Sequence, residues 1–374
     1  MEHAAALTAP AVPVPFFAQA AGWEAVRPLA ESAIAESAAG ADVVARFETA
    51  VAERVGAARA VAVRSGPAAL ELLLRAVGVE PGEEVVVPAF GGVEAASAVV
   101  RAGARPVFAD IGPDLAIDPA AAAAAVTERT RALLVARPGH RPPDLAALGA
   151  VADRFALSLL EDTAVPAGPA GGGAALSCAA DAPLGALGDA GVVLTDDDRL
   201  ADTVEVLRGP GHLGARGLPP AVAAEAVLPG LNCPLGDVQA AVLLAKLTRL
   251  DADTARRAEL AAAYTARLAE VVETPAECAD AVFSGYLIGV ERRAELAGHL
   301  AAHGVATEIR HRLATPAQPC FAHLGHRAGE FPAAEAAAAR LIALPLYPDL
   351  AESPLDSSVE RVCDLVLAFH GRPS

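Results

Sequence analysis

The chain is almost without lysine. Of its 29 basic residues only Lys246 is one, so any chemistry that needs a side-chain primary amine is confined to the stretch "LLAKLTRL". Positive charge in general is scarce, with 46 acidic residues against 29 basic and a formal net charge of −17. Nucleic-acid affinity is drawn from Lys and Arg neutralising phosphates, and no basic tract is present, so a nucleic-acid partner is excluded.

Long apolar runs are missing too. The 54% hydrophobic content is inflated by alanine, and no window offers the ~20 strongly apolar residues that span a bilayer. The N-terminus "MEHAAALTAPAVPVPFF" has an early acid, no basic n-region and prolines where a signal peptide needs an unbroken apolar stretch. A cytoplasmic protein with no membrane partner is expected. The five cysteines are odd in number, far apart and without a C-x-x-C pair, which argues against a disulfide framework or a zinc knuckle; packed thiols are expected. No repeat at a period of 20–50 residues is visible.

What is present is an alternation. Between Val61 and Leu200 the short apolar runs "AVAV", "EVVVP", "RPVFADI", "RALLVAR", "LSLLEDT" and "GVVLTDD" are separated by alanine-rich helical stretches. Continuous runs of this length suit strands buried on both faces, with room for crossover helices. An α/β domain with a mostly parallel sheet follows. From Leu235 to about Val272 apolar positions recur three and four apart, predicting one long helix. Beyond it "AVFSGYLIGV" and "LPLYPDL" suggest a smaller α/β domain, with the boundary placed between residues 1–250 and 251–374.

The order of these pieces resembles the nucleotide-sugar aminotransferases of the DegT/StrS type, pyridoxal-phosphate (PLP) enzymes of fold type I. The markers include "GADVVARFE", "AVAVRSGPAAL", "GVEPGEEVVVPAF", "ARPVFADIGPDLAIDP", "LLEDTAVPAG", "LGALGDAGVVLTDD" and "GLNCPLGDVQAAVLLAKLTRLD". The similarity covers nearly the whole chain, from about Phe16 to Leu367. The resemblance implies a large domain with a mostly parallel seven-stranded sheet, a small C-terminal α/β domain, and a dimer.

Such enzymes need a lysine that forms a Schiff base with the cofactor aldehyde. In the family's loop a serine precedes that lysine by five positions; here Ser177 is in place and the lysine position falls on Ala182. Lys246 is expected on a solvated helix face, and so not to replace it. The acid that holds the pyridinium nitrogen corresponds to Asp162. The aromatic stack falls on Gly92, in "PAFGG". The phosphate cradle "SGT" becomes Ser65-Gly66-Pro67, losing a hydroxyl and an N–H donor. Ser177 and Asn232 match the cradle, the latter expected to reach across from the partner subunit, while the arginine beside that Asn is Pro234 and two polar neighbours of the acid are Val165 and Ala167. With so many groups absent together, no cofactor is expected: PLP or PMP binding should be weak or absent.

Polar residues expected near the vacated pocket are Arg137, His140 and Arg141, Glu161 and Asp162, Asp181, and His212. A histidine with a carboxylate and an arginine is a workable acid/base set, and Asp162, His140, Arg137, Glu161 and Asp181 are the catalytic candidates. "HLGH" lacks a third metal ligand, and "GPAGGGA" lacks the strand–turn–helix setting of a dinucleotide fingerprint. Two main readings stay open. One is a PLP-independent enzyme of natural-product metabolism acting on a small molecule, as a homodimer. The other is a non-catalytic subunit partnering or regulating an active aminotransferase paralogue as a heterodimer. A sugar aminotransferase or PMP-dependent dehydrase is a weaker third.

Overall fold

The computed structural model describes residues 13–17, 23–165, 167–169, 171–212, 225–351 and 358–371. Most of the N-terminal stretch bearing on export, and residues 213–220 of the loop after His212, lie outside these.

Two helices open the described chain, α1 (Trp23–Ala38) and α2 (Val43–Val55), followed by β1 (Arg59–Val63) and α3 (Gly66–Ala76). Strands and helices then alternate through β2 (Glu84–Pro88), α4 (Val93–Arg101), β3 (Arg105–Ala109), α5 (Pro119–Ala125), β4 (Thr130–Ala136), α6 (Leu145–Phe155) and β5 (Ser158–Thr163). β6 (Gly173–Ser177), β7 (Gly191–Thr195) and α7 (Asp198–Arg208) complete the unit. Short polar side chains start the helices where the chain leaves each strand: Asp42, Ser65, Asp118, Asp144 and Asp197 each accept a backbone N–H of the first turn, satisfying donors that have no partner within the helix.

The strands form one seven-stranded sheet in the order β1-β7-β6-β5-β4-β2-β3. β7 runs antiparallel to both of its neighbours, while β3, β2, β4, β5 and β6 are mutually parallel. This is the α/β fold the apolar runs imply, and the reason is burial: β2 and β7 are buried at every residue, because α3, α4 and α7 cover one face and α2, α5 and α6 cover the other.

The single long helix expected after Leu235 is two, Asp237–Leu247 and Leu250–Leu268. Thr248 makes the break. Its hydroxyl bonds back to the Ala245 carbonyl at 2.7 Å, and such back-bonding competes with the helical ladder. The second helix lays Leu260, Tyr264 and Leu268 into a separate core with Ile288, Leu296, Ile342 and Val366. That core surrounds the antiparallel pair β8 (Tyr286–Gly289) and β9 (Leu341–Leu344). The N-terminal segment joins it, for Val14 pairs with Val305 as a parallel bridge. No helix among the described residues is long and apolar enough to cross a membrane.

Candidate functional site

Because β7 is antiparallel to both β1 and β6, the carboxyl ends of β1, β2, β4, β5 and β6 all lie along one edge of the sheet. That edge is where open α/β sheets bind ligands. It receives Ser65 and Gly66 after β1, the Phe90–Glu94 turn after β2, Arg137 after β4, Asp162 near the end of β5 and Ser177 at the end of β6.

Ser65 caps α3, and Gly66 opens it. A Cβ on Gly66 would stand 2.8 Å from Ser177 Oγ, closer than real side chains come, so only glycine lets β6 and the start of α3 approach. The hydroxyl of Ser177 is thereby held against a helix N-terminus, a natural anion seat.

Asp162 keeps part of its surface open, yet enough protein surrounds its carboxyl that burial, with a further push from the charge of Glu94, raises its pKa to about 7. No hydrogen-bond donor serves it among the described residues. Glu94 was not foreseen. Its carboxylate folds back over Gly92 and fills the space a side chain there would take. The signal was present in "FGGVEAA", where two glycines precede an acid, but nothing in the sequence says that the acid turns back. Beyond it His311 meets Phe90 edge-on at 5.0 Å, and burial, then Arg310, pushes its pKa down to about 4; it too was missed.

The other catalytic candidates are placed differently. Arg137 donates from Nη2 to the carbonyls of His140 (3.1 Å) and Asp280 (3.0 Å). His140 stacks on Phe283 at 5.0 Å, and its Nε2 lies 2.8 Å from the Ala276 carbonyl. A carbonyl only accepts, so that nitrogen carries the proton. Burial lowers the pKa of both residues. Glu161 acts electrostatically on Arg137, and strand alternation turns it to the face opposite Asp162. Arg137, His140 and Glu161 thus form one group, fastening the loop after β4 to the 276–283 segment, while Asp162 belongs to the other with Glu94. His140→Ala is expected to cost about 1–2 kcal/mol, the sum of a stack and a neutral hydrogen bond; urea unfolding measures it.

Asp181 is half-exposed and faces Arg310 Nη2 at 3.5 Å. Arg310 also reaches Glu308 (3.1 Å) and Ser284 Oγ (3.1 Å). Asn232 is exposed and held at φ 47°, a left-handed conformation that asparagine tolerates better than most residues. His212 is exposed, its backbone paired with Ala226. Cys178, Cys233 and Cys363 are buried, whereas Cys320 is exposed. Among the described residues no group of His, Cys, Asp and Glu is arranged to hold a metal.

Ala182 is 7% exposed, in a loop tied down by Ala182 N–H to Ala179 O (2.8 Å) and Ala186 N–H to Cys178 O (3.0 Å). Lys246 is not on a solvated face. It is partly buried, and its Nζ donates to the Gly185 carbonyl of this loop at 2.7 Å. The helical period placed it correctly on its helix but could not show what packs against it.

A family model for DegT/DnrJ/EryC1/StrS aminotransferases matches residues 23–366. The "Pleiotropic regulatory protein" of Geobacillus stearothermophilus is 35% identical, over 88% of this chain and 90% of its own length. The dTDP-3-amino-3,4,6-trideoxy-alpha-D-glucose transaminase of Streptomyces venezuelae is 34% identical, over 81% of this chain and 82% of its own. The solved structure of S. venezuelae DesV, in complex with a ketimine intermediate, superposes with a TM-score of 0.88 at 31% identity, covering 97% of this chain and 100% of DesV. An aminotransferase family and a neighbour holding a ketimine point to a cofactor. They overturn the expectation of none, which gave the missing anchors at positions 67, 92, 182 and 234 more weight than the retained ones. The match across nearly the whole length, in sequence and in fold, means that this chain belongs to the DegT/DnrJ/EryC1/StrS aminotransferase family.

Proposed function

We propose that this sugar-aminotransferase-like protein has given up lysine-dependent transamination and acts on a small, sugar-sized molecule of natural-product metabolism by proton transfer at Glu94, beside the buried carboxyl of Asp162. The observation that carries the reading is the pairing of those two carboxyls where a lysine and an aromatic stack are missing. Glu94 fills the space over Gly92 and helps keep Asp162 protonated near neutral pH.

A PLP- or PMP-type cofactor fits part of this site. Asp162, without a donor among the described residues, would hold a protonated ring nitrogen. Ser65, Gly66 and Ser177 at the start of α3 would seat a phosphate. With alanine at 182 the anchoring at that position is non-covalent. Such a cofactor, when bound, supplies an electron sink for reactions beside an amine-bearing carbon; Glu94 takes or returns the proton at the face over Gly92. The sugar-sized substrate is carried over from the Streptomyces transaminase.

The working unit in this reading is a homodimer, with the exposed Asn232 reaching the neighbouring copy. The same exposed residue favours a second reading, a non-catalytic subunit that completes an active paralogue's site. Titration calorimetry with PMP and PLP, dialysis, and an amino-transfer assay with glutamate as donor test the proposal. Saturable binding that dialysis reverses, with no amino transfer, is the expected result; absence of binding, or steady transfer, overturns it. Light scattering on the same sample should give two chains, and one chain alone would favour the subunit reading.

A further inference from the structure

Behind the loop that carries Ala182 lies a cavity of about 50 Å³. It belongs neither to Asp162 nor to the 276–283 segment. Its lining includes Ala182 together with Lys246, Arg249, Arg257, Asp253 and Asp349. Arg249 and Asp253 face one another at 3.4 Å, so each answers the other's charge.

Lys246 and Arg257 are not answered in that way. Lys246 donates to the Gly185 carbonyl. Arg257, only 6% exposed, gives Nη1 to the carbonyls of Leu346 (2.8 Å) and Phe283 (3.4 Å), and its buried Nε has no partner among the described residues. Neither cation lies within ion-pair distance of a carboxylate among the described residues. Carbonyl dipoles offset only part of the cost of burying a full charge. Burial accordingly lowers the pKa of Lys246 and brings that of Arg257 down to about 10. Asp253, Asp181 and Asp349 act on Arg257, and Asp253 on Lys246, only from beyond ion-pair distance.

We propose that this cavity binds a small oxoanion of the phosphate type between Lys246 and Arg257, clamping the 180–185 loop to the helix Asp237–Leu247. Size selects the class. One water needs roughly 10–15 Å³ of such space, so the cavity takes a few waters' worth of ligand, which suits an inorganic oxoanion and excludes a pyridine ring or a sugar nucleotide. Charge selects the sign, for the lining sets three cations, Lys246, Arg249 and Arg257, against two carboxylates, Asp253 and Asp349, and the surplus is positive. The guanidinium supplies directed N–H donors and the ammonium a point charge, the usual division of labour at oxoanion sites. The site does not depend on the proposed function, but it has a route to it: the loop it would clamp carries Ala182, and Asp181 of the same loop is paired with Arg310.

The scarcity of lysine makes the test direct. In protein freed of phosphate, an amine-acylating reagent can label only Lys246 and the N-terminal amine, and peptide mass mapping separates the two. Inorganic phosphate at fixed ionic strength should slow labelling of Lys246 at least about fivefold, saturably, and raise Tm by roughly 2–4 °C. Lys246→Gln should keep the fold and lose the saturable Tm rise; Arg257→Lys, should it fold, should weaken it tenfold or more. A rise that survives in Lys246→Gln but disappears in Ser65→Ala would put the anion at the start of α3 and overturn the proposal. Unchanged labelling of Lys246 at saturating phosphate would overturn it as well.

Discussion

At pH 8, Asp162→Asn should resist urea better than the unmodified chain by about 2–4 kcal/mol, and the advantage should shrink by about half or more by pH 5. The sign follows from the direction of the shift. An ordinary aspartate releases its proton near pH 4, and Asp162 holds it to about 7. Between those values the folded chain binds a proton that the unfolded chain has lost, so stability falls as pH rises through the window. Asparagine carries no charge to desolvate and escapes the penalty. The upper end of the range is the whole shift converted at about 1.4 kcal/mol per unit, and the lower allows for the carboxyl's partial exposure. Urea midpoints at the two pH values decide it; a difference that does not change with pH would mean that the carboxyl is not desolvated. The expected cost is functional. The amide cannot serve as the charged partner of a protonated ring nitrogen, so PMP binding should weaken in the same variant that gains stability, the trade expected when a site stores strain for a ligand.

The second large effect is a gain. Ala182→Lys should convert a chain that releases PLP on dialysis into one that retains it covalently after borohydride, at about one label per chain against essentially none before. The loop is already held in place by Ala179, Cys178 and Lys246, so the substitution changes the side chain more than the backbone. Peptide mapping should place the label at 182. A label at Lys246 in the unmodified chain would mean that the one amine already serves. A variant that binds PLP yet stays unlabelled would mean that the small residues around 182 have closed the approach.

Particular residues show how far the sequence could be followed. The runs "EVVVP" and "GVVLT" could only be buried strands, and "LLEDT" put Asp162 at a strand end beside the ligand edge. Ser177 and Ala182 could be placed against each other by spacing alone. The cofactor expectation went wrong because absent groups are easy to count along a chain, whereas the retained carboxyl and helix N-terminus gain their meaning only when brought together. His140 and Arg137 looked like acid/base residues because their types allow it; their contacts with Ala276, Asp280 and Phe283 join segments more than a hundred residues apart, and no local pattern records such pairings.

Local chemistry by itself therefore determined the strand–helix alternation, the helix caps, the scarcity of amines and the alanine at 182, since each depends on a few neighbouring residues. Only the tertiary structure decided that Glu94 turns back over Gly92 and puts its charge on Asp162, that Lys246 is drawn onto the loop of the missing lysine, and that Arg257 is buried with no carboxylate within ion-pair distance among the described residues. Those three facts depend on how much water and which partners reach a charge. Burial and partnership are settled by segments distant in sequence, so they appear only once the chain has closed around them.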